Sequence, residues 1–82
     1  MIIHHTENSN VHIFYTEYNG NYLYHNDTGP AIIYSNGLVL YYQYDKDVTD
    51  EVNQWLKERN IEDWKTMTEE DKLALSFFMR SL

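Results

Sequence analysis

Between residues 11 and 44, apolar and aromatic positions come in short runs separated by Asn-Gly and Gly-Pro; beyond residue 48 they recur at helical spacing. Runs rich in tyrosine and β-branched residues and bounded by turn formers predict strands. They lie at Val11 to Glu17, Asn21 to His25, Ala31 to Tyr34 and Leu38 to Tyr44, with a shorter one at Ile2 to His5. Tyr18-Asn19-Gly20-Asn21 and Ser35-Asn36-Gly37-Leu38 each contain Asn-Gly, which tolerates the positive φ angles of two-residue hairpin turns. His25-Asn26-Asp27-Thr28-Gly29-Pro30 reads as a tight turn closed by proline. An antiparallel meander of four or five strands is therefore expected. Alternation puts Leu38, Leu40, Tyr42 and Tyr44 on one side of the last strand and Val39, Tyr41 and Gln43 on the other, while Tyr22 and Tyr24 oppose Leu23 and His25. Both sides are apolar or aromatic, so helices are expected to cover one face and leave the other as an open platform of tyrosines.

The helical half begins at Thr49, a suitable N-cap, with Asp50 and Glu51 in the first turn, where negative charge meets the positive end of the helix dipole. Val48, Val52, Trp55 and Leu56 form its apolar stripe, and the helix is expected from Asp50 to Asn60. Ile61 to Lys65 reads as a connector with one helical turn. Thr68-Glu69-Glu70-Asp71 resembles a capping box for a last helix reaching Arg80. Leu73, Ala74, Leu75, Phe77, Phe78, Met79 and Leu82 surround that helix on most of its circumference. So wide an apolar surface implies burial in the middle of the fold or contact with another chain. The fold class is thus α+β, an antiparallel β-meander of four or five strands followed by two or three helices packing on one face.

At 82 residues and 9.9 kDa the chain makes one domain, 1 to 82, with a tyrosine-rich part over 1 to 46 and an acidic helical part over 47 to 82. The net charge of -7 is unevenly spread: residues 1 to 44 carry Glu7, Glu17 and Asp27 but no Lys or Arg. Nucleic-acid affinity requires cations that neutralise phosphates, so direct binding to nucleic acid or to an anionic membrane is not expected. With no cysteine, disulfides, thiolate metal sites and cysteine nucleophiles are excluded. A start without a basic segment and apolar run, and no stretch near the roughly 18 residues of a membrane span, point to the cytoplasm.

No catalytic constellation is legible. The serines Ser9, Ser35, Ser76 and Ser81 lack a nucleophile-elbow context, and P-loop, GxGxxG and HExxH motifs are absent, so the chain is read as not an enzyme. His4, His5, His12 and His25 lie in the strand half. If the first segment paired with Val11 to Glu17, His4 or His5 would approach His12, with Glu7 or Glu17 at hand. Adjacent histidines on a strand point to opposite faces, however, and no HxH spacing occurs, so neither a metal ligand nor a cofactor is assigned.

The segment His25-Asn26-Asp27-Thr28-Gly29-Pro30-Ala31-Ile32-Ile33-Tyr34-Ser35-Asn36-Gly37, followed by Tyr41-Tyr42, resembles the small MORN-like repeat proteins of tailed bacteriophages. In that family His-Arg-x-Asp-Gly-Pro-Ala, an apolar strand, a turn glycine and an aromatic pair recur. Tyr15 with Asn19-Gly20 looks like the end of a preceding unit, so the likeness covers about residues 15 to 46. Asn26 stands where the repeat has arginine and Thr28 where it has the aspartate before Gly-Pro. The repeat's ion pair is therefore absent here. The resemblance implies a β-hairpin scaffold in a phage accessory protein of the kind that binds host factors.

Together these features lead to a non-enzymatic phage accessory protein expected to bind and inhibit a host protein, such as a component of a defence system. Two surfaces are candidates. Tyr22, Tyr24, Tyr42 and Tyr44 would anchor a partner with large, rigid contacts, as would Phe77 and Phe78 of the last helix. Glu69, Glu70 and Asp71 would instead imitate nucleic acid and enter a basic groove of the host protein. The alternatives are a self-assembling structural homodimer closed through the C-terminal helix, and a small-ligand or nucleotide sponge.

Overall fold

The computed structural model describes residues 2 to 82. The strands are β1 (His4–Glu7), β2 (Val11–Tyr18), β3 (Asn21–Tyr24), β4 (Ile32–Tyr34), β5 (Val39–Leu40), β6 (Tyr42–Gln43) and β7 (Lys46–Asp47), followed by α1 (Thr49–Glu58), a 3-10 turn at Trp64–Thr66 and α2 (Glu69–Arg80). The architecture is α+β, with a five-stranded antiparallel sheet in the N-terminal part and two helices after it. β6 and β7 form a separate two-stranded hairpin.

The strand order departs from a meander at its second connection. β2 is the longest strand and organises the sheet, with β1 along one edge. The other edge is shared: β4 pairs with its beginning, Val11 facing Tyr34, and β3 with its end, Tyr18 facing Asn21. The changeover is at Phe14, whose carbonyl accepts from the His25 N–H (3.1 Å) and whose N–H donates to the Ala31 carbonyl (2.7 Å). Residues 26 to 30 make an excursion between these two bonds. Pro30 has no N–H to contribute to a ladder, and the excursion is closed by Asn26, whose Nδ2 donates to the Pro30 carbonyl (2.9 Å). Gly29, Pro30 and Ala31 are buried while Thr28 is exposed, so the turn expected here plugs its proline end into the fold.

The two Asn-Gly pairs make different turns. Asn19 (φ 51) and Gly20 (φ 79) are both left-handed, as a two-residue hairpin between β2 and β3 demands. At Ser35-Asn36-Gly37 the Gly37 N–H donates to the Tyr34 carbonyl (3.0 Å) and Gly37 alone is left-handed (φ 94). This is a three-residue loop with a bulge rather than the expected two-residue turn. A third hairpin turn, at Tyr44 (φ 48) and Asp45 (φ 71), joins β6 to β7 without any glycine.

The core sits at the helical end: Tyr41, Val48, Val52, Trp55, Leu56, Met67, Leu75 and Met79, with Val39, Ile61, Trp64, Ala74 and Phe78 packed against it. Val39, Tyr41 and Gln43, the side predicted by alternation, turn toward the helices, and Tyr41 is 1% exposed. Thr49 does not cap α1. It is the first helical residue, and its Oγ1 accepts from the Tyr41 N–H (2.9 Å), tying the strand to the helix. Asp47 takes the role at the helix start by accepting from the Thr49 N–H (2.9 Å). α1 ends at left-handed Asn60 (φ 59), with the Ile61 N–H bonded to the Leu56 carbonyl (2.9 Å) and Ile61 folded back on the core, a Schellman ending. α2 begins with the expected reciprocal capping box of Thr68 and Asp71.

Candidate functional site: an aromatic sheet face

Cross-strand register decides which side chains share a face. Tyr15 faces Tyr24, Glu17 faces Tyr22, His4 faces Tyr15 and Val11 faces Tyr34. Directly opposed residues project to the same side of a sheet, so His4, Tyr15, Tyr22, Tyr24 and Tyr34 line one surface. The rings touch in sequence. Tyr22 meets Tyr15 edge-on (centroids 5.4 Å) and Tyr15 stacks on His4 (5.2 Å), while Tyr24 lies against Tyr42 (5.3 Å). Tyr22 is 70% exposed and Tyr24 40%; Tyr42 is half-buried. A shallow concavity of about 460 Å³ runs between them over Thr6, Ile13 and Leu23.

The face is electronegative. Residues 1 to 44 supply no cation, and Asp45 and Asp47 flank Tyr42. The Tyr42 hydroxyl is held above the ordinary tyrosine range by loss of hydration, then by Asp47, by the neighbouring Tyr24 and Tyr34, and by Asp45.

Of the predicted anchors, Tyr22, Tyr24 and Tyr42 are brought together and Tyr44 is not. The positive φ angles at Tyr44 and Asp45 end the alternation, and the Tyr44 ring lies 4.2 Å from the ring of buried His25. Tyr44 there borders a second, open groove of about 860 Å³ with Ile2, His4, Thr16, Glu17, Tyr18 and Leu23. The Thr16 hydroxyl at its floor already donates to the Ile2 carbonyl (2.9 Å), and Glu17 disfavours a phosphate. That groove is poorly suited to a nucleotide.

The helical candidates also separate. Phe78 is partly buried against the core, stacked on Trp55 (5.8 Å), whereas Phe77 is 61% exposed beside Leu73 at 58%. Asp71 is engaged by the capping box and Glu69 pairs with Lys72 (3.4 Å), which leaves Glu70 as the freest acid of that turn. Four of the six aspartates, Asp27, Asp47, Asp63 and Asp71, each accept a hydrogen bond from a group two or three residues away, and Asp45 accepts from the distant Tyr24 N–H. Much of the acidic patterning is therefore turn and cap chemistry rather than a free charged surface.

On the opposite side of the sheet, β1 and β2 bring His5, Glu7 and His12 together, the one group of metal-ligating side chains found among the described residues. Sequence reasoning left this group unassigned because its spacing is formed across strands. Its signal was the pairing of the first segment with β2.

Comparison with protein-family models, with curated proteins and with solved structures finds no match. No helix among the described residues is long and apolar enough to cross a membrane.

Proposed function

We propose that the chain is a non-enzymatic bacteriophage accessory protein that works in the host cytoplasm, where it docks its tyrosine face on a host protein of a defence system and blocks it. The observation that carries the docking is the two pairs of touching rings on this face, Tyr15 with Tyr22 and Tyr24 with Tyr42, of which Tyr22 and Tyr24 are exposed to solvent. Such rings offer wide apolar contact with little rotamer entropy to lose, and aromatic pairs of this kind are held in place by about 0.5–1.5 kcal/mol each. The phage source is supported by the likeness of residues 25 to 37 to the phage repeat. A partner suited to this face carries Arg or Lys that stack on the rings and meet Asp45 and Asp47 at the rim. With Asp71 engaged by the capping box and Glu69 by Lys72, the face is a stronger candidate than imitation of nucleic acid by Glu69, Glu70 and Asp71.

The test is a pull-down with tagged protein from host lysate, washed at about 0.1 M and about 1 M salt, between which the screening length falls from about 10 Å to about 3 Å. One stoichiometric partner retained in both washes, and released by Tyr24→Ala with Tyr42→Ala, is expected. Retention that disappears in high salt and ignores the tyrosine changes would move the site to the acidic helix turn. If nothing is retained, the inhibitor reading fails.

A homodimer through α2 is the second reading, and Leu73 and Phe77 favour it: four residues apart, they stand exposed on one side of the helix. Light scattering across a concentration series decides it, since a mass that stays at one chain removes the dimer.

A further inference from the structure

We infer that His5, Glu7 and His12 form a binding site for a divalent transition metal ion of the zinc type, on the face of the sheet opposite the tyrosines. The inference is independent of the docking reading. His5 Nε2 lies 3.1 Å from His12 Nδ1, and the same Nδ1 lies 3.1 Å from Glu7 Oε2. Tetrahedral zinc with bonds of about 2.0–2.1 Å holds its ligand atoms about 3.3 Å apart, so both contacts already have the separation the ion requires.

The two contacts compete for one atom, His12 Nδ1. His12 Nδ1 carries either one proton or one lone pair. With the proton directed at Glu7, it is no longer an acceptor for His5; with a lone pair accepting from His5, it faces the carboxylate with like charge density. A cation placed among the three atoms satisfies all of them together. Two imidazoles and one carboxylate suit zinc, nickel or cobalt rather than calcium or magnesium, which prefer oxygen donors throughout.

The scaffold holds the donors in position. Glu7 is directly opposite His12 in the β1–β2 ladder, and His5 is opposite Phe14, one step along the same face. The His5 ring stacks on Phe14 (centroids 4.5 Å), and its plane is 9° from that of His12. With ring centroids 5.3 Å apart and nitrogens 3.1 Å apart, the two nitrogens lie close to the line joining the rings, the approach of an N–H···N hydrogen bond; an ion held by both lies off that line, so binding turns each ring toward it. Asn8 fixes the connection between the strands, its Oδ1 accepting from the N–H groups of Asn10 (2.8 Å) and Val11 (3.1 Å). Three protein donors leave a fourth position open to solvent on this exposed edge, for water or for a side chain of another molecule. A bound ion would also clip β1, an edge strand, to the centre of the sheet.

The built-in control is His4, which stacks on Tyr15 on the other face. Protein stripped with chelator is titrated calorimetrically with Zn²⁺, and its melting temperature is recorded with and without the ion. We expect one ion per chain, a rise in melting temperature, affinity reduced more than about tenfold in His5→Ala and in His12→Ala, and unchanged binding in His4→Ala. Glu7→Gln, which keeps size and removes charge, is expected to weaken binding with an unchanged circular dichroism spectrum. No binding by the wild-type chain overturns the inference. Binding that persists in His5→Ala and His12→Ala, or that His4→Ala reduces equally, overturns it as well.

Discussion

The Tyr44 N–H donates to Nδ1 of His25 across 3.1 Å, and the Tyr44 ring lies 4.2 Å from the imidazole it helps to enclose. Since Nδ1 accepts, the ring proton is on Nε2, which donates to Asp27 (2.9 Å). A fully buried imidazole thus joins the excursion after β3 to the β6–β7 hairpin. Gln43 reinforces the joint by donating to the Asn26 carbonyl (2.8 Å).

Replacing His25 with alanine opens a cavity and strips partners from the Tyr44 N–H and the Asp27 carboxylate. The expected loss is about 2–4 kcal/mol of folding free energy. Urea unfolding measures it, and a loss below about 1 kcal/mol would show that the plug contributes little.

Tyr41 is buried, and its hydroxyl has no hydrogen-bond partner among the described residues. Tyr41→Phe removes this desolvated group without changing the ring, so stability is expected to rise by up to about 1–2 kcal/mol. A fall of similar size in thermal unfolding would mean that the hydroxyl is satisfied in solution.

Burial, then the charge of Asp63, pushes the Tyr41 hydroxyl up to about 12 from 10.0. The folded chain keeps this proton where the unfolded chain loses it. Its titration therefore leaves stability unchanged below pH 10 and lowers it as the pH rises toward about 12, by about 2–3 kcal/mol in all. Tyr42 shifts in the same direction. Unfolding followed between pH 9 and 12 should show stability falling, and Tyr41→Phe should flatten the fall.

Tyr22→Ala and Tyr24→Ala remove exposed rings and are expected to change stability by less than about 1 kcal/mol. If the face docks a partner, the same changes cost about 2 kcal/mol or more of binding. Calorimetry on a retained partner, beside urea curves, separates the two effects.

Thr68→Ala deletes one half of the α2 capping box, freeing the Asp71 N–H, with an expected loss of about 1 kcal/mol. Thr49→Val instead removes the hydroxyl that serves Tyr41. Its cost is expected to be greater than that of Thr68→Ala, because a part-buried N–H is left unpaired.

Local interactions were legible in the sequence because they lie within a few residues of one another. The change of period after Asp45, the Asn19-Gly20 turn, the Thr68 to Asp71 box and the turning of Tyr41 and Gln43 away from Tyr42 all follow from backbone preference and alternation. Three of the four proposed tyrosine anchors followed by the same rule, and Tyr44 escaped it because two left-handed residues without glycine reset the strand. Tertiary structure alone decided that β3 and β4 share one edge of β2, that Thr49 serves a strand rather than its own helix, and that Phe78 packs against the core while Phe77 faces solvent. It also set the register that opposes Glu7 to His12 and brings His5 within reach. These outcomes depend on which distant backbone and side-chain groups compete for the same buried donors, and that competition exists only once the chain has closed.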